Sequence, residues 1–293
     1  MSELPLFSVL IANYNNGKYL QEAIDSVLAQ TYTNWEIIIV DDSSTDNSNE
    51  LYKQLGSDSR IHIYNNEENK GCGFTKRRCA ELANGEICGF LDPDDTLSLD
   101  ALEVMVTAHS SNRNVSLVYS RHNEMDANMN FLKVSIQQTA MPIGGSFLYG
   151  DGGISAFASF KKNLYKKTSG INPDFQRAID HDLYYKLEEV GDVLFIDKVL
   201  YNYRLFTGNN ISVGDNSNKA FLWHIISEVD ACRRRQLPIE DVIYRDFNSF
   251  ISWHRTEARE EGRRLAQMTK SYRIGKFILS PLRKFNQLFE RKK

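Results

Sequence analysis

A chain of 293 residues is long enough for one large α/β domain and an appendage. Apolar residues make up 42%, charged residues 25%, and the net charge is −3. These values exclude a disordered or fibrous chain, and no apolar run approaches the roughly twenty residues that span a bilayer.

Residues 1–5 lead straight into an apolar run, so no signal segment and a cytoplasmic location are expected. The first predicted strand, residues 7–11, stops at Ala12, Asn13, Tyr14, Asn15 and Asn16. After Gly17, the residues Tyr19, Leu20, Ala23, Ile24, Val27 and Leu28 recur at helical spacing. A β-branched run at 35–40 follows and stops at Asp41 and Asp42; beyond it Asn47, with Glu50 three residues on, predicts a helix start. The pattern of residues 76–83 is helical and opens on the cations Lys76, Arg77 and Arg78. Cys72, Cys79, Cys88 and Cys232 form no CxxC pair and read as free thiols in a reducing compartment.

The apolar run at 87–91 ends abruptly in Asp92, Pro93, Asp94 and Asp95. Three carboxylates within four residues repel one another unless a cation is shared. Hard oxygen ligands of this kind suit Mg²⁺ or Mn²⁺ carrying a phosphate-bearing substrate. The other reading is an acidic turn that caps a helix from Leu97 onward. Strand, polar strand end, helix, strand is the rhythm of a parallel α/β sheet, whose ligands gather at the carboxyl ends of strands. Neither G-x-G-x-x-G nor G-x-G-T-R follows the first strand, which argues against a dinucleotide dehydrogenase and a nucleotidyltransferase.

The motifs VLIANYNNGKYL, IIIVDDSSTD, NKG and ANGEICGFLDPDD occur in this order over about a hundred residues. Further on come SFKK, GINP and AIDHDLYYKL. Across roughly residues 5–212 the chain resembles family 2 glycosyltransferases of the GT-A fold. The resemblance implies an α/β fold, a Rossmann-like mixed sheet flanked by helices, with a C-terminal helical appendage. It implies a domain at 1–212, donor-binding at about 5–110 and acceptor-side at about 111–212, followed by a helical region at 213–293. It also implies an inverting, non-processive transfer of a sugar from a nucleotide-diphospho-sugar donor, expected to be UDP-linked, to a glycan or lipid-linked acceptor in cell-surface polysaccharide biosynthesis. The alternatives are a catalytically silent binding protein on the same fold and a sugar-nucleotide nucleotidyltransferase.

By the same resemblance Asp94 ligates Mn²⁺ or Mg²⁺, and Asp92 assists through water or ribose. Asp42 and Tyr14 contact the base or ribose. Ala12 stands where relatives often carry Thr, and Asn13 is the candidate replacement for its hydroxyl. Lys76 and Arg77 occupy the places of an Arg and an Asn; a cation there neutralises phosphate oxygens, or else covers a solvated helix face. Asp180 matches the general base, with Ile179 where the pattern has Glu; Asp182 is the rival carboxylate, and His181 between them reads as a packed or solvated spacer, or else as a metal ligand or a base. Arg204 is placed to pair with the diphosphate, although Phe206 replaces a following His. Residues 207–210 read as a loop closing over donor, and Ser212 matches a family Ser of unassigned role.

Residues 263–293 carry a net charge of +9, leaving −12 on the rest, which argues against nucleic acid as a partner. Phe277, Ile278, Leu282, Phe285 and Phe289 alternate with cations at helical spacing, broken by Pro281. Such a tail suits the anionic inner face of a cell membrane. The other reading packs its apolar face on the catalytic domain or on a second copy in a homodimer.

Overall fold

The computed structural model describes residues 4–55, 58–205 and 216–268. Residues 206–215, with Phe206 and Ser212, and the basic stretch 269–293 lie outside the described residues. Two compact units divide after Ile239.

In the first unit the strands β1 (Phe7–Asn13), β2 (Trp35–Asp41), β3 (Ile61–Asn65) and β4 (Ile87–Phe90) alternate with helices α1 (Gly17–Leu28), α2 (Ser48–Leu55) and α3 (Cys72–Leu82). Then come β5 (Thr96–Leu97), α4 (Ala101–Ser111), β6 (Val115–Met125), β7 (Phe131–Val134), β8 (Ala158–Lys161), α5 (Lys162–Tyr165), α6 (Ile179–Glu188), β9 (Asp192–Arg204) and α7 (Ser217–Arg235). The sheet order is β3-β2-β1-β4-β8-β6-β9-β5, with β7 on β6. β1 pairs in parallel with both β2 and β4, whereas β4 pairs antiparallel with β8. The sheet is therefore mixed, and its direction changes beside β4. The second unit is dominated by α8 (Ile239–Met268), whose first turn carries Glu240 and Asp241 against the positive end of the helix dipole.

Alternation along β1 explains the core. Phe7, Val9 and Ile11 point to the side where Leu20, Ile24 and Val27 of α1 and Leu51 of α2 pack, all in one buried cluster. The neighbouring Leu10 is equally buried, and the Cys79 thiol of α3 lies 3.5 Å from the Ile11 carbonyl. Helices thus cover both faces, as a parallel sheet requires. Leu28, on the predicted apolar face of α1, is 42% exposed, because it sits in the last turn where the helix leaves the sheet.

Two sequence expectations are corrected here. The residues after the acidic turn do not begin a helix: Thr96 and Leu97 pair antiparallel with Asn202 and Tyr201, and the helix starts at Ala101. Asp95 is accordingly not a cap; its buried carboxylate accepts from the Tyr201 hydroxyl at 2.8 Å and the Arg204 amide at 2.7 Å. Before α2, the side chain that takes the leading amide is that of Asp46, which accepts from Ser48 N at 3.0 Å, in place of the expected Asn47.

Candidate active site

The carboxyl ends of β1, β2 and β4 open into a cleft of about 1290 Å³, completed by the segment before α6 and by α7. The volume exceeds that of a usual small-molecule pocket, roughly 300–1,000 Å³, and so leaves room for two substrates. Ala12, Tyr14, Asp42, Lys76, Asp92, Asp94 and Asp180 all line it. Arg77 and Arg204 do not. Two of its lining residues other than glycine have left-handed backbone: Asn15 and Ala178 have φ of 53° and 52°. Strain of this kind persists where surrounding structure over-determines it.

On the donor side, Tyr14 is 46% exposed and presents its ring to the cleft. Asn13, the candidate replacement for the hydroxyl missing at position 12, lines the cleft but is buried. Its Nδ2 is engaged within the fold, donating to Asp41 at 3.0 Å and Tyr52 at 2.8 Å. Asp42 is 3% exposed and clamps the following loop: its carboxylate accepts from Asn66 Nδ2 at 2.6 Å and from the amides of Lys70 and Gly71, each at 2.8 Å. Gly71 takes φ 87°, a conformation in which a side chain is strained. At Gly73 a Cβ would sit 2.4 Å from the Phe175 carbonyl, so glycine lets α3 close against the acceptor-side segment.

The acidic turn is held from behind. Arg204 is 2% exposed; its Nε donates to the Asp94 carbonyl at 2.6 Å, Nη1 to the Ala127 carbonyl at 2.9 Å and Nη2 to Glu22 at 2.7 Å. Its guanidinium is engaged within the fold and not turned to the cleft, unlike the expected diphosphate contact. Arg77 is also spent elsewhere, on Glu81 at 2.8 Å and the Ile171 carbonyl at 3.1 Å. Lys76, one residue earlier, is one position round the helix and reaches Asp92 at 2.9 Å from the cleft floor. Burial works against its charge, but its neighbours, Asp92 foremost and Asp180 with it, together raise its pKa above the ordinary lysine value.

Two carboxylates of α6 have opposite surroundings. Asp182 is wholly buried; it bonds Lys186 at 2.7 Å and the Asn172 amide at 3.1 Å. Lys186 in turn donates to the Gly170 carbonyl at 2.8 Å, so the pair staples the 170–172 loop to α6. Asp180 instead opens to the cleft, with protein closing around its other sides. Those surroundings push its carboxyl up, but the charges of His181 and then Lys76 outweigh them and hold its pKa below the ordinary value. His181 stands edge-on to His224 of α7, ring centroids 4.7 Å apart. Asp182→Asn is expected to cost about 3–5 kcal/mol of stability, since it strands the buried Lys186 charge; urea unfolding measures it.

A divalent cation fits the acidic turn by its donor chemistry. Asp92 and Asp94 bring carboxylates to the cleft. The carboxyl of Asp95 behind them is pushed well above the ordinary range, by burial and then by the charges of Asp94 and Asp92. Hard carboxylate oxygens of this kind are what Mg²⁺ and Mn²⁺ take.

The sequence reading left several lining residues without a role: Asn69, Lys70 and Cys72 beside the NKG motif, and Phe221 and His224 of α7. NKG marked the first group; nothing in the helical pattern of 217–235 marked the second.

Residues 8–169 match the family described as Glycosyl transferase family 2. The chain is 30% identical to the chondroitin synthase of Escherichia coli over 214 residues, which cover 73% of this chain and 31% of that protein. Among solved structures, residues 1–349 of S. aureus TarS in complex with UDP-GlcNAc superpose with a TM-score of 0.63 at 18% identity, covering 75% of this chain and 65% of that one. The mannosyltransferase PcManGT of Pyrobaculum calidifontis, in complex with GDP-Man and Mn2+, superposes with a TM-score of 0.61 at 14% identity, covering 95% of this chain and 85% of that one.

Proposed function

Starting from the premise that the chain belongs to glycosyl transferase family 2, we propose that it transfers a sugar with inversion from a nucleotide-diphospho-sugar, taken to be UDP-linked, to a hydroxyl of a glycan or lipid-linked acceptor during polysaccharide assembly. The observation that carries this reading is the pairing of two walls in one cleft. Asp92 and Asp94 stand on the strand-end side, Asp180 stands on α6, and Lys76 lies between them.

The roles follow from charge. Asp94, with Asp92 beside it, would hold Mn²⁺ or Mg²⁺ on the diphosphate; a bound cation supplies stabilisation of the developing leaving-group charge. Tyr14 and the Asp42-clamped loop cradle the nucleoside. Lys76 adds a fixed positive charge near the phosphates. Asp180 accepts the proton of the acceptor hydroxyl as its oxygen bonds to the anomeric carbon and the bond to the diphosphate breaks. The complexes of TarS with UDP-GlcNAc and of PcManGT with GDP-Man and Mn2+ support a donor and a cation of this class.

The reading is tested by a thermal-shift screen of nucleoside diphosphates with and without Mn²⁺, followed by donor hydrolysis, because a ligand that binds only the folded state raises the melting temperature. No shift and no hydrolysis with any donor would overturn it. Among the described residues no helix is long and apolar enough to cross a membrane. We place the basic tail on the anionic inner face of the membrane, next to a lipid-linked acceptor. Deleting residues 264–293 is expected to release the protein from anionic vesicles in flotation assays and leave donor hydrolysis intact.

A further inference from the structure

A second cavity, of about 50 Å³, opens beside the point of transfer. It shares Lys76, Asp92, Ala156, Ile179 and Asp180 with the main cleft. Its other walls are hydrocarbon: Phe90, Phe157, Phe160, Ile171 and Leu183. One water needs about 10–15 Å³ of such space, so the cavity holds roughly three or four non-hydrogen atoms. An acetyl group has that size, with a methyl for the apolar walls and a carbonyl oxygen that needs a donor.

The donor is present. Tyr184 lines the cavity and is 9% exposed. None of the described residues hydrogen-bonds its hydroxyl, and the same cavity wall carries Asp180, Lys76 and Asp92. The other tyrosine in the wall is already engaged, since the Tyr201 hydroxyl accepts from Asp92 N at 3.2 Å and donates to Asp95 at 2.8 Å. The Tyr184 hydroxyl is thus open to a bond with the carbonyl oxygen of a ligand amide. Ile179, where the family pattern has Glu, makes the mouth of the cavity apolar as well.

We propose that this side cavity receives the N-acetyl group of a 2-acetamido sugar on the donor, with Tyr184 donating to the acetamido oxygen. The inference rests on the glycosyltransferase reading and adds the substrate class. A pocket built for one extra small group discriminates by about ten- to two-hundredfold. The test is calorimetric binding of UDP, UDP-glucose and UDP-N-acetylglucosamine to the full chain with Mn²⁺. Wild type is expected to prefer the N-acetyl donor at least about tenfold over UDP-glucose. Tyr184→Phe is expected to lose most of that preference with UDP affinity unchanged, and Leu183→Phe, which fills the cavity, to abolish it. The tyrosine variant keeps the test decisive if the larger side chain prevents folding.

Equal affinity of wild type for the two sugars, or a preference that survives Tyr184→Phe, would overturn the proposal while leaving the glycosyltransferase reading standing. Failure to bind UDP itself would overturn both the N-acetyl proposal and the UDP-linked donor on which it rests. A further arm offers free N-acetylglucosamine and glucose to the UDP-loaded protein; an N-acetyl preference seen only there assigns the cavity to the acceptor and overturns the donor assignment.

Discussion

Asp180→Asn is expected to slow transfer by about 10²-fold or more and leave donor affinity unchanged. The substitution keeps the shape of the side chain and removes its capacity to accept a proton. A sugar hydroxyl is a poor nucleophile near neutral pH without such a base. Single-turnover transfer, measured beside calorimetric donor binding, separates the two effects. A loss confined to binding would remove Asp180 from the role of base. Because Asp180 ionises below its ordinary value of 3.8, held there against its surroundings by His181 and Lys76, its carboxylate form persists as the pH falls toward that value. Protonation of Asp180 therefore imposes no acid limb on kcat/KM near neutrality. The contrast with Asp182 sharpens the test: its substitution acts on stability through Lys186 and less on the chemical step.

The second large effect is expected at the acidic turn. Asp94→Ala should bring turnover to background, a loss on the order of several kcal/mol in transition-state stabilisation. The melting temperature should stay close to wild type, because the Asp94 carbonyl, and not its side chain, carries the bond to Arg204. Treating wild type with EDTA should reproduce the loss, and treating the variant should add little. Full activity of either would separate this residue from metal binding.

Much of the donor half was legible because its signals are local. Apolar runs that stop at polar strand ends announce themselves within a few residues, and β1, β2 and β4 end at Asn13, Asp41 and Phe90, against sequence expectations of 11, 40 and 91. The acidic turn was legible as charge crowding. The fate of each cation was not. Lys76 and Arg77 are adjacent letters, yet one helical step sends the first to Asp92 and the second to Glu81. Arg204 looked available to a diphosphate because its partners, Glu22 and the Ala127 carbonyl, lie far away in sequence. Asp180 and Asp182 looked alike for the same reason: the buried Lys186 that claims Asp182 is visible only after α6 has docked. The wall contributed by α7 lies beyond the matched residues 8–169, and no motif announced it.

The hold of Arg204 on the acidic turn has a consequence for the order of events in each cycle. One side chain joins α1, the loop after β6 and the turn after β4, with its charge against Glu22 and its plane over the Tyr19 ring. The turn is therefore shaped during folding and not on arrival of an ion. On the proposed reading, cation and nucleotide would meet a finished receptacle, and little ordering entropy would oppose their association. On the same reading departure would be equally simple: once the bond to the sugar is broken, nucleotide and ion would leave without unmaking the loop, and the vacated turn would be ready for the next donor.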